Sequence, residues 1–167
     1  NSSDLLAVDY FRNYEYLAQP FTVASGVAVP AGEHRFQELL ASYALGPQRT
    51  VSGTVTFRRG GFYTGDRTQI GYAGRVKLNA RLAVEPRVSV DWVDLPKGNF
   101  RVTLLGLRPT YTMTPRMFVS ALVQYNSLVS SVSANLRVRW EYQPGSELFV
   151  VLNEQRDTTA AGFPTMY

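Results

Sequence analysis

Residues 131–142 read Ser131-Val132-Ser133-Ala134-Asn135-Leu136-Arg137-Val138-Arg139-Trp140-Glu141-Tyr142. The even-numbered positions are all apolar or aromatic, and the odd-numbered positions are all polar or charged. A strand points successive side chains to opposite faces, so this segment has one greasy and one hydrophilic face. Its length suits a tilted strand crossing a bilayer, which takes roughly 9–11 residues. The greasy face ends in Trp140 and Tyr142, residue types that settle at a membrane–water boundary. The segment reads as a strand of an outer-membrane β-barrel with Arg137, Arg139 and Glu141 facing a wet lumen. Taken alone, it also suits a half-exposed strand of a soluble sandwich.

The same alternation recurs along the chain. Val51, Gly53, Val55 and Phe57 oppose Ser52, Thr54, Thr56 and Arg58. Ile70, Tyr72, Gly74, Val76 and Leu78 oppose Gln69, Gly71, Ala73, Arg75 and Lys77. Val88, Val90 and Trp92 oppose Arg87, Ser89 and Asp91, and residues 117–126 follow suit less cleanly. Turn residues separate these runs. Tight turns are expected at Gly46-Pro47, Glu85-Pro86, Thr114-Pro115-Arg116 and Pro144-Gly145. More open loops are expected at Gly26 to Gly32, Gly60 to Asp66, Pro96 to Asn99 and Tyr125 to Ser130. The two kinds alternate. About nine strands follow, near 4–17, 33–45, 49–60, 67–82, 87–94, 99–112, 116–126, 131–142 and 146–155.

Run up and down, these strands sort the aromatics to two rims. Tyr43, Tyr111, Trp140 and Tyr142 fall near the tight turns, and Phe62, Trp92, Phe100 and Tyr125 near the open loops. Two aromatic belts around an aliphatic band are the pattern of a membrane barrel. Arg58, Arg75, Asp91, Arg101, Arg108, Arg137, Arg139 and Glu141 are assigned to the polar, lumen-facing side, with Asp91 and Glu141 as partners for the arginines.

Composition agrees. The chain has 167 residues, 13% aromatic and only 18% charged, against about 25% charged in an average soluble domain. It reads as a single β-barrel domain over 1–167. Net charge is +4, but the arginines are spread mostly singly along successive strands rather than gathered in one patch, which argues against nucleic acid. Cysteine is absent, excluding disulfides and thiolate zinc sites. No basic leader followed by an apolar core is visible.

Several motifs, in order and spacing, resemble a group of bacterial proteins. They are Pro20-Phe21 leading to Val29-Pro30-Ala31-Gly32, then Gly60-Gly61-Phe62-Tyr63-Thr64-Gly65-Asp66-Arg67. Leu95-Pro96-Lys97-Gly98-Asn99-Phe100 and Gln124-Tyr125-Asn126-Ser127 follow. The strongest is Arg139-Trp140-Glu141-Tyr142-Gln143-Pro144-Gly145-Ser146-Glu147-Leu148-Phe149-Val150-Val151, with Asn153-Glu154 and Arg156-Asp157-Thr158 beyond it. In that group the N-terminal part is similar to a family-nine-type carbohydrate-binding module, and the C-terminal part is an outer-membrane barrel of uncharacterised function. The resemblance implies a porin-like transmembrane fold in a Gram-negative-type envelope. It further implies that the chain is the C-terminal part of a longer protein, with the carbohydrate-binding module and a closing strand outside this sequence, which agrees with the odd strand count. It supplies no catalytic residue.

Little in the chain points to catalysis. His34 is the only histidine, and it reads as a solvated rim residue. Asp91 with Asp94, or Glu154 with Asp157, would be the carboxylate pairs for glycoside hydrolysis, but they read as lumen or loop charge. The expectation is therefore a non-enzymatic, cofactor-free and metal-free outer-membrane barrel, anchoring or transporting, linked to carbohydrate binding or uptake. Its partners would be the lipid bilayer, a carbohydrate or anionic solute, and a protein completing or docking the barrel. The alternatives are a scaffold barrel that docks a protein at its rim or edge, and a soluble ligand-binding β-domain.

Overall fold

A computed structural model describes residues 3–158. They form eleven strands and, among the described residues, no helix. Nine of the strands make one antiparallel sheet: β1 (Leu5–Leu17), β4 (Gly32–Leu45), β5 (Val51–Phe62), β6 (Gly65–Lys77), β7 (Leu82–Leu95), β8 (Gly98–Thr114), β9 (Met117–Asn126), β10 (Ser131–Gln143) and β11 (Ser146–Asp157). Each pairs with the next in that order, so the chain runs up and down as the alternation predicts. The remaining two, β2 (Phe21–Ala24) and β3 (Val27–Val29), pair with each other as a small hairpin. That hairpin lies where the sequence suggests only an open loop.

Register assigns the faces. Glu38 sits opposite Gly60, Gly60 opposite Arg67, Arg67 opposite Val93, and Val93 opposite Phe100. Directly opposed residues share a face, so these five point one way. One residue along each strand, Leu39, Arg59, Thr68, Trp92 and Arg101 form the matching row on the other face. Carried across the sheet, this parity divides the molecule in two. The first face bears Thr56, Arg58, Gln69, Arg75, Ser89, Asp91, Arg108, Gln124, Asn135 and Arg137, and is mainly polar, with Leu40, Leu104 and Leu122 among them. The second bears Leu6, Val8, Leu39, Phe57, Ile70, Val88, Val90, Leu107, Val123, Val132, Leu136, Val138 and Val150, and is mainly apolar, with Arg12, Arg59 and Arg101 toward one rim.

No second layer covers the apolar face among the described residues. Leu136 is 39% exposed, Ile70 48%, Val150 52% and Leu6 68%. Among the described residues the buried hydrophobic ones are four: Val27, Val29, Val93 and Leu95. They sit on the opposite face, where the β2–β3 hairpin folds over the end of β7 with Leu17, Phe62, Tyr63 and Phe100 packed around it.

The two rims differ less than expected. Connections at 46–50, 78–81, 115–116 and 144–145 lie on one rim, and those at 18–31, 63–64, 96–97 and 127–130 on the other. Two of the expected open loops are therefore two-residue turns. The glycines that suggested loops lie inside strands: a side chain on Gly65 would approach the Asp94 carbonyl oxygen to 2.0 Å. They permit close strand contact rather than loop freedom. Pro86, read as a turn, lies within β7 opposite Leu107 on the apolar face.

Among the described residues the sheet is not closed: β1 and β11 are its edges. The all-β, antiparallel, up-and-down class holds; the described residues form eleven strands rather than about nine, because the β2–β3 hairpin adds two to the nine of the large sheet.

Candidate functional site

The polar face carries its charges in paired rows. At the centre of the first row is Glu38, which is buried. Arg67 reaches one of its carboxylate oxygens at 3.0 Å, Arg58 the other at 3.3 Å, and the Asn13 amide donates to it at 3.0 Å. One carboxylate thus ties together β1, β4, β5 and β6. Lower on the face, Glu85 lies 3.7 Å from both Arg75 and Arg108, joining β6, β7 and β8. Arg139 pairs with Glu147 across β10 and β11, its guanidinium between the rings of Phe118 and Phe149. Asp91 accepts from the Gln69 amide at 2.8 Å and the Ser89 hydroxyl at 3.1 Å. Asn135 and Asn153 bond side by side.

Seven of the eight predicted polar-face charges are on this face: Arg58, Arg75, Asp91, Arg108, Arg137, Arg139 and Glu141. Arg101 is not. It stands opposite Trp92 on the apolar face, because the polarity of β8 does not alternate cleanly and the ladder with β7 sets its direction. The partners also differ from expectation. Arg58, Arg75, Arg108 and Arg139 pair with Glu38, Glu85 and Glu147, whereas Asp91 bonds to neutral groups and Glu141 stands opposite Glu147. The sequence signal for Glu38 is its parity on β4 with His34 and Ser42.

The aromatics sort similarly. Tyr43, Trp92, Tyr111, Tyr125, Trp140 and Tyr142 lie on the apolar face, near the rims assigned to them. Phe62 and Phe100 instead pack on the other face against the buried hairpin cluster. On β1, Tyr10, Tyr14 and Tyr16 join the apolar-face aromatics, exposed at 55%, 59% and 65%. Their even spacing with Leu6 and Val8 was legible in the sequence.

Beneath the hairpin is an aromatic corner. Tyr63 occupies the two-residue turn with φ of 54°, an uncommon conformation for a bulky residue. That turn brings its ring against Phe62, Phe36 and His34, with centroids at 4.8, 5.5 and 5.3 Å. Burial, followed by the nearby Glu15 carboxylate, raises the Tyr63 hydroxyl above its ordinary pKa. His34 is 6% exposed rather than solvated, and its Nε2 donates to the Pro30 carbonyl at 2.9 Å. It anchors the segment after β3. The carboxylates of Asp91 and Asp94 stand on opposite faces of β7, as do those of Glu154 and Asp157 on β11, so neither pair converges. Among the described residues no cluster of three or more His, Cys, Asp or Glu side chains is placed to hold a metal.

Compared with known proteins, the chain matches no family model, no curated protein and no solved structure.

Proposed function

We propose that this chain is the larger part of the wall of a non-enzymatic transmembrane β-barrel in a bacterial outer membrane, with an anchoring or transport role. One observation carries the reading: among the described residues, no layer covers the apolar face of the nine-stranded sheet. Soluble monomers rarely expose apolar patches beyond a few hundred Å². On β7 every apolar-face residue from Leu82 to Trp92 is hydrophobic, a stretch matching the roughly 9–11 residues of a membrane-crossing strand. The paired charges on the other face suit a polar interior held by salt bridges. The β2–β3 hairpin, folded over that face at one rim, would narrow its mouth.

The edges support a specific form of closure. With nine alternating strands, β1 and β11 run in the same direction. One further strand, antiparallel to both, would satisfy both edges. In lipid each unpaired backbone group costs several kcal/mol. A second reading, a scaffold that docks a partner strand along an edge, draws on the same two edges.

Trp92 and Trp140 test the membrane reading, because they are the only tryptophans and sit near opposite rims of the apolar face. In vesicles of brominated lipid both should be quenched. A chain that stays in solution with unquenched tryptophans refutes the reading. Transport is tested in planar bilayers with charged and neutral oligosaccharides. Absence of both conductance and sugar binding removes the carbohydrate-linked role.

A further inference from the structure

The apolar face is not uniform. Arg59, Thr68, Trp92 and Arg101 are side by side on β5, β6, β7 and β8. Just beyond them toward the Tyr63 rim, on the same face, Asp66 stands opposite Asp94. These six residues line one shallow depression. Among the described residues neither guanidinium forms an ion pair, and Trp92, between them in the row, is 43% exposed. Immediately below, Phe57, Ile70 and Val90 form an apolar row that ends in Thr103 on β8.

We propose that this depression binds the phosphorylated sugar headgroup of a glycolipid. The inference rests on the membrane reading above. Two unpaired guanidiniums on a lipid-facing surface suit a phosphate, which Arg engages through forked, charge-assisted hydrogen bonds. A bare phosphate would be repelled by Asp66 and Asp94. A phosphorylated sugar presents hydroxyl donors to those carboxylates while its phosphate stays with the arginines. The exposed indole offers a flat apolar platform to the sugar ring. Phe57, Ile70 and Val90 continue directly below, where the acyl chains of the same molecule would lie. That continuity favours a lipid over a free sugar phosphate.

The test reconstitutes the 167-residue chain in phosphatidylcholine vesicles. These contain either a phosphorylated, acylated glucosamine disaccharide or phosphatidylglycerol as a minor component. Lipid retained after mild detergent extraction is read by native mass spectrometry, and insertion by protease protection. The glycolipid should be retained about tenfold over phosphatidylglycerol, a preference that the double variant Arg59→Ser, Arg101→Ser should lose. Trp92→Leu should reduce it with insertion unchanged. Equal retention of both lipids, or equal retention by the double variant, overturns the proposal while leaving the membrane reading intact. Failure to insert into either vesicle overturns both.

Discussion

Glu38 on β4 and Arg67 on β6 are separated by an intervening strand, yet their side chains meet at 3.0 Å. The residue between them in the ladder is Gly60. A Cβ there would come within 2.2 Å of the Gln37 carbonyl oxygen and 2.5 Å of the Glu38 Cα. The glycine allows the strands to approach and leaves room for the ion pair above it.

Gly60→Ala should therefore destabilise the folded chain by about 1–3 kcal/mol, the usual scale of overpacking. Gly106→Ala is the control, since its added Cβ would meet the Arg87 Cβ at an ordinary 3.5 Å. Urea unfolding of both variants in detergent micelles compares them. Equal midpoints would show that the close approach at Gly60 is not limiting.

Glu38→Gln should cost about 3 kcal/mol, because it leaves two largely enclosed guanidiniums without their carboxylate. Arg58 and Arg67 expose only 29% and 20% of their side chains. The triple variant Glu38→Gln, Arg58→Met, Arg67→Met should recover much of that loss. If it is instead less stable than Glu38→Gln, the cost arises from packing and not from stranded charge.

Asp4 should make the fold acid-sensitive at one rim. Its carboxylate accepts from the Gly46 amide at 2.9 Å, the Tyr43 hydroxyl at 2.9 Å and the Arg49 guanidinium. The Gly46 bond is the chief cause holding its pKa below the ordinary 3.8, aided by Tyr43 and Arg49 and opposed by desolvation. A folded pKa lower than the unfolded one stabilises above the unfolded value, and that stability fades as pH falls through the folded pKa. Asp4→Asn should thus lower stability at neutral pH and flatten the decline below about pH 4. Identical acid profiles for the two proteins would place the sensitivity elsewhere.

Val29 is fully enclosed at 0% exposure. Val29→Asp should release the β2–β3 hairpin without unzipping the large sheet, whose ladders do not include it. Limited proteolysis near Gly26 should accelerate while far-ultraviolet circular dichroism stays constant. Loss of the β spectrum would instead make the hairpin essential to the sheet.

The sheet was legible in the sequence because alternation with period two is both the local signal and the global plan. Residues 131–142 read as a strand and lie in β10 with the expected faces. What escaped was information held between strands. Arg101 and Phe100 are assigned by their ladder with β7, since Leu104 and Leu105 are adjacent apolar residues that break the local pattern. Phe62 was placed by residue type at a rim, although its parity with Arg58 puts it on the polar face. The hairpin escaped because β3 is only three residues long. Its stability comes from Val93 and Leu95, far away in the chain.

That distance sets an order of assembly. Every ladder of the large sheet except β1–β4 joins strands consecutive in the chain, so those contacts close short loops and form early. Val27 and Val29 pair with Ala24 and Phe21 inside the hairpin, but the buried residues that enclose them, Val93 and Leu95, arrive only with β7. The hairpin is thus the late-docking piece, and its seating against Val93 and Leu95 reports that this part of the wall has been built.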